Sequence, residues 1–413
     1  MNKPRLLVCS STFPIAPGDS EPPFVYELCQ RLAQWFDVLV LVPAPPGLPG
    51  GVTRMGRLRV CRYRYAPRRW QRLAYGGGML PAIRRAPWLL LLLPMMLLAQ
   101  LFVLAGLLRR WPAPLVHAHW LFPQGLCAAL ALATLPAASR PLLKLTSHGG
   151  DLFGLRGRLW DTLLAWVLRR SSALAVVSTA MAEHAQQRFA LAELPWVCSM
   201  GVDTTSRFTP PVADLTREGL LFVGRLAEKK GLDTLLHALA LLQQHHGLRP
   251  GLVIVGDGPE RPVLQSLANQ LGVSGQLRWH GRRPNAELVD FYRRAALVVM
   301  PSRVASDGDQ EGLGLVAVEA MACGALVLAS DLPALRDVIC PGENGLTFAA
   351  GDATALAFAL QQALALQLSC QVRLQQAAVQ TASRFDWTRV ANDYKYWLLG
   401  AQRQQGRLEA DRD

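Results

Sequence analysis

A chain of 413 residues has room for two or three domains with sizeable cores. With 51% hydrophobic and 18% charged residues, it is not a disordered polymer. A formal net charge of +13, carried mostly by arginine, points to anionic partners such as phosphates or an acidic membrane surface. Nucleic acid is set aside, because no segment interleaves clustered basic residues with aromatics in a reading motif.

The N-terminus, "MNKPRLLVCSST", reads as a short strand and not as a long apolar signal core, so export is not expected. Eight cysteines are scattered without CxxC spacing, which predicts a reducing compartment and no zinc site. Short apolar runs then alternate with helical periods: "RLLVCSS", the helical "FVYELCQRLAQW", "DVLVLVPA", and later "LVHAHW", "PLLKLTSHG" and "ALAVVS". Between the second and third of these strands lies "WLLLLLPMMLLAQLFVLAGLL", residues 88 to 108, uncharged and flanked by Arg84-Arg85 and Arg109-Arg110. Its length suits a spanning helix. A single crossing, however, would put strands of one sheet on opposite sides of a bilayer. The segment is therefore expected to be buried or to lie in the lipid interface, and peripheral attachment to the cytoplasmic membrane face is the preferred reading. Pro94 interrupts the run.

After a proline-containing break, "MGVDTTSRFTPPVADLTREG", the alternation restarts with "GLLFVGRL", "GLVIVGDG", "QLRWHGR", "LVVMPS" and "ALVLASD". Continuous apolar strands alternating with helices imply parallel, doubly wound sheets. Two series imply an α/β architecture of two Rossmann-like domains facing across a cleft, where ligands bind outside the carboxyl ends of the strands. The boundaries are read as 1–205, 216–384 and a last helix in 385–413.

Chemistry concentrates in the second half. "VGRLAEKKG" leaves Arg225 and Lys230 in the loop after a strand, a planar fork and a mobile point charge that suit a diphosphate. "PSRVASDGDQEGLGLVAVEA" leads from a strand into a helix expected to start near Gly312. Gly312 and Gly314 let backbone N–H groups approach an anion at a helix N-terminus. Glu311 and Glu319 are too far apart to share one proton, since eight helical residues climb about 12 Å. They fit two anchor points, a sugar near Glu311 and a ribose near Glu319.

The pattern GR-x4-KG followed by PS-x8-EGLG-x4-E resembles the retaining glycosyltransferases of family 4, which have the two-Rossmann GT-B fold. "FPIAPGD", "VHAHWLFPQG", "SHGGDL" and "MGVD" are similar to the bacterial polysaccharide and glycolipid branches of that family. "RFDWTRVANDYKYWLL" resembles its C-terminal helix, which crosses back to the first domain. The resemblance implies a hexosyltransferase that moves sugar from a UDP- or GDP-sugar to a lipid-linked or polysaccharide acceptor. It puts His148, Arg225, Lys230 and Glu311 at the reacting centre. Gly18, Gly224, Leu313 and the backbone of Gly312 and Gly314 go with the donor phosphates, and Glu319 with the ribose. Where the family has tandem glycines, this chain has Pro17-Gly18-Asp19.

His117 and His119 share one face of a strand, and with no third ligand evident they are read as structural or, for His119, acceptor-side. Asp151 orients His148, meets the acceptor or caps the next turn. Asp307-Gly308-Asp309 is read as an exposed acidic loop, and no cofactor or essential metal is expected. A nucleotide-sugar epimerase on the same fold and a silent nucleotide-binding membrane scaffold are the alternatives.

Overall fold

The computed structural model describes residues 3–16, 19, 23–75, 78–212 and 215–400. The first domain carries β1 (Arg5–Cys9), β2 (Asp37–Pro43), β3 (Gly51–Met55), β4 (Leu58–Tyr63), β5 (Leu115–His119), β6 (Leu142–Ser147), β7 (Ala173–Val176) and β8 (Trp196–Val197). They lie in the order β3-β4-β2-β1-β5-β6-β7-β8. Every pairing is parallel except β3 with β4, an antiparallel edge. The second domain carries β9 (Glu218–Val223), β10 (Leu252–Val255), β11 (Leu277–Gly281), β12 (Ala295–Met300), β13 (Leu326–Ser330) and β14 (Leu346–Phe348). Their order is β11-β10-β9-β12-β13-β14, parallel throughout. In each sheet the order reverses beside the first strand, so crevices open at the carboxyl ends of β1 and β9.

The central strands of the second sheet are apolar on both faces. Leu221, Val298 and Val327 join one core, whereas Leu220, Leu297 and Leu326 join another on the opposite face. The first of these cores is continuous with that of the N-terminal domain. Strand period 2 divides neighbouring residues between two helix layers.

The chain crosses between domains after Met200 and returns at Phe385. The two crossings run side by side: Val202 N–H donates to the Phe385 carbonyl at 2.9 Å, and Trp387 N–H to the Val202 carbonyl at 3.2 Å. Asp386 caps the final helix, Trp387–Leu399, by accepting from the Thr388 N–H. That helix packs on the first domain. There the Tyr394 hydroxyl donates to the Cys198 carbonyl at 3.2 Å and the buried Lys144 ammonium donates to the Trp397 carbonyl.

The apolar segment forms a 3-10 turn, Pro87–Leu91, followed by a helix, Leu92–Arg110. Pro94 falls in the first turn of that helix, where its missing N–H has no helical acceptor to lose, and the run is divided just before it, between Leu91 and Leu92. β5 follows this segment and pairs with β1, which precedes it, so the segment does not cross a bilayer.

Candidate active site

The loop after β9 begins with Gly224-Arg225 and ends in a short turn, Glu228–Lys230. Gly231 closes it at φ 64°, where a Cβ would stand 1.8 Å from the Pro301 carbonyl oxygen. Only glycine fits there, and the contact holds Lys230 over the loop after β12. The Lys230 ammonium donates to Glu311 Oε2 at 2.6 Å, with both side chains more than four-fifths buried. Burial pushes the Glu311 carboxyl up. Lys230 and Lys229, with hydrogen bonds from Lys230 and Ser302, outweigh it and leave the group below its ordinary value. Glu311 is therefore a held carboxylate and Lys230 its held cation.

The helix expected to start near Gly312 starts at Leu315. Gly314 sits in the left-handed region at φ 85°, with Leu335 so near that a Cβ would clash at 2.4 Å. This turn separates Glu311 from the helix carrying Glu319, so the two carboxylates are not related by eight residues of continuous helical rise. Glu319 accepts from the Tyr292 hydroxyl at 2.8 Å and from Asn285 Nδ2 at 3.2 Å. Burial raises its carboxyl above the ordinary value despite these bonds.

Across from Glu311 stands the loop after β6. A Cβ on Gly312 would lie 2.9 Å from the His148 carbonyl oxygen, and one on Gly149, at φ 102°, would lie 3.5 Å from the Gly312 Cα. The two domains thus touch backbone to backbone beside Glu311. His148 Nε2 and His119 Nδ1 share a hydrogen bond of 2.9 Å, and their rings stack at 5.1 Å between centroids. Phe24 and Trp120 close on the His148 ring at 5.0 and 4.8 Å. Burial depresses the His148 pKa to about 3, so the ring is neutral at neutral pH.

His119 and Asp151 were expected on the acceptor side, but both are buried, at 0% and 3% exposure. Asp151 accepts from the Ser147 hydroxyl and the Leu121 N–H, and has no bond to His148. It ties the loop after β6 to the loop after β5. His119 supports His148 from below. His117 bonds Thr146 Oγ1 at 2.8 Å, with its ring against Tyr394 and Trp397 of the final helix. Asp307-Gly308-Asp309 is not a free acidic loop: Lys229 Nζ donates to Asp309 Oδ1 at 3.0 Å, and Arg156 of the first domain donates to the Gly308 carbonyl at 3.1 Å. Among the described residues no three His, Cys, Asp or Glu side chains converge on a metal position. Gly18 lies outside the described residues.

A cleft of about 630 Å³ runs between the domains, lined among others by Phe24, Glu27, Gly224, Arg225, Asp257 and Glu319. Lys230, Glu311 and His148 do not line this volume; they form the tighter end where the domains touch. Leu313 is 4% exposed and packs in the core, so only its backbone is offered to a ligand. A Cβ on Gly224 would meet only Phe222 and Lys230, at 3.6 and 3.7 Å, so a side chain there has ordinary clearance.

Sequence reasoning missed Asn285 and Tyr292, which hold Glu319, and Lys229, which holds the acidic loop. It also missed Glu27 and Arg207, paired at 3.7 Å across the domain junction. No local pattern marks these residues, since their partners lie 27 to 180 positions away.

A basic loop, a buried Lys–Glu pair and a cleft between two doubly wound domains suit an anionic ligand. The profile of Glycosyltransferase Family 4 matches residues 23–206, and that of Glycosyl transferases group 1 matches residues 205–381. Glycogen synthase of Mycobacterium tuberculosis (strain ATCC 25618 / H37Rv) is 31% identical over 304 residues, which cover 71% of this chain and 70% of that one. D-inositol 3-phosphate glycosyltransferase of Frankia alni is 38% identical over 187 residues, 43% of this chain and 44% of its own. Sucrose-phosphate synthase from Thermosynechococcus elongatus superposes with a TM-score of 0.75 at 21% identity, over 97% of this chain and all of that one. Anabaena HepE in complex with UDP-glucose superposes with a TM-score of 0.71 at 18% identity, over 96% and 99%. The chain belongs to the family 4 glycosyltransferases and has the GT-B fold. It is a glycosyltransferase that uses a nucleotide-sugar donor.

Proposed function

We propose that the chain transfers a hexose from a UDP- or GDP-sugar, with retention of configuration, to a lipid-linked or polysaccharide acceptor in cell-envelope or exopolysaccharide synthesis. The observation that carries this reading is the buried Lys230–Glu311 pair, held at 2.6 Å next to the backbone contact between Gly312 and the His148 carbonyl. Arg225 and Lys230 offset the charge that develops on the departing diphosphate, together with the N–H groups that open the helix at Leu315. Glu311 and His148 meet hydroxyls of the donor sugar, and Glu319 meets the ribose. No step in this scheme is assigned to a metal.

The test has two stages. A panel of nucleotide sugars is screened by thermal shift, because a bound donor raises the melting temperature by mass action. The stabilising donor is then incubated with lipid-linked and polysaccharide acceptors, and the anomeric configuration of the product is read by NMR. An inverted product removes the retaining assignment. Donor epimerised without any acceptor would make the chain an epimerase instead.

A further inference from the structure

We infer that the outer face of Pro87–Arg110, together with Trp70, is a docking surface for an anionic lipid leaflet. Leu92, Met96, Gln100, Leu104 and Leu108 recur every four residues and are buried against the first domain. The opposite side is equally apolar and uncovered: Leu91, Met95, Leu98 and Phe102 follow the spacing of one helix face, with Leu91 76% and Phe102 70% exposed. Exposed Trp88 and Trp70 stand with ring centroids 6.5 Å apart at the start of this face. Tryptophan suits the boundary between apolar chains and headgroups.

Charge selects the occupant. From Val38 to Gly150 the chain has no Asp or Glu and fourteen Arg or Lys. The other 300 residues hold 29 basic against 30 acidic side chains, so the entire excess charge of the protein lies in this stretch. Exposed Arg68 and Arg69 flank one end of the apolar face, and exposed Arg109 and Arg110 the other. A symmetric pair of copies would set this surface against itself, like charge on like. An anionic leaflet meets both the arginines and the apolar stripe. Arg85, just before the segment, also lines the interdomain cleft. Docking this face therefore brings the cleft mouth to the headgroup layer. The inference stands on the surface and does not depend on which acceptor the enzyme uses.

The test is sedimentation of the full chain with vesicles of phosphatidylcholine alone, and of phosphatidylcholine mixed with phosphatidylglycerol, at low and high salt. We expect at least about tenfold stronger association with the anionic vesicles, weakened by salt. A variant combining Leu91→Ser, Met95→Ser, Leu98→Ser and Phe102→Ser should lose association while keeping the wild-type melting temperature. Should that variant melt early, quenching of wild-type tryptophan emission by bromine-labelled lipid, reduced in Trp88→Phe, decides the matter. Equal association with both vesicles, none with either, or no quenching overturns the inference. So does light scattering that shows an oligomer which the serine variant dissolves.

Discussion

At the scale of single residues, the site is built from partners that answer one another. Lys230 and Glu311 are nearly enclosed, so removing one strands the other. Lys230→Ala should lower turnover at least about a hundredfold, the loss usual when one donor leaves a preorganised anion site. It should also destabilise the fold, because Glu311 stays behind as an unpaired, mostly buried carboxylate. Arg225→Ala should give a similar kinetic loss. Steady-state kinetics beside thermal melts check both, and wild-type rates in either variant would remove the diphosphate assignment. Glu319→Gln keeps a partner for the Tyr292 hydroxyl but not the charge. We expect it to raise the donor KM with kcat little changed, since a ribose contact is present before and during transfer. A collapsed kcat at constant KM would place Glu319 at the reacting sugar.

At the scale of elements, the decisive feature is the turn Glu311–Gly314 meeting the loop His148–Gly149. Gly312→Ala puts a methyl group 2.9 Å from the His148 carbonyl, and both sides of the contact are backbone. The junction must open to admit it, at a cost of about 1–3 kcal/mol, and turnover should fall with stability. A variant with wild-type melting and wild-type kcat would show that the two loops are not held together in the working enzyme. Much of this was legible in advance. The apolar runs located most strands, because parallel strands buried on both faces leave no room for polar alternation. β3 and β4 escaped notice because "GVTRM" is an exposed edge and "LRVCRY" carries Arg59 and Arg62. The helix start was misplaced by three residues because Gly314 bends the chain left-handed, and periodicity is blind to that. Arg225, Lys230, Glu311 and Glu319 were legible as a motif. What holds them was not, since Asn285, Tyr292 and Lys229 reach them only through the fold. Within the uniformly apolar run, Leu97 is half-buried while Leu91, Met95 and Leu98 face outward, a division that only the fold reveals.

At the scale of the whole molecule, buried histidines set a pH response. Burial lowers His117 to about 3, helped by repulsion from His148 once that ring is protonated and from Lys144, and burial lowers His148 to about 3. In the unfolded chain both titrate near about 6.5. Between these values the unfolded state binds protons that the folded state refuses, so stability is complete above about pH 6.5 and falls as the pH drops. Each group contributes at most about 1.4 kcal/mol per pH unit in that window. Urea midpoints measured down through this range should fall steadily, and His117→Gln should make the slope shallower; an unchanged slope would contradict the assignment. Transfer should also survive exhaustive chelation, a direct trial of the reading in which cationic side chains alone answer the diphosphate. Loss of rate restored by a divalent ion would refute it. The paired crossings at Val202 and Phe385–Trp387 bear on how such a machine moves. A single linker would leave the two bodies free to twist, slide and swing. Two strands of backbone laced together by hydrogen bonds act as a door hinge: they resist torsion and separation and leave one easy rotation about the line they define. Any relative motion of the two domains is thereby confined to a single arc about that line.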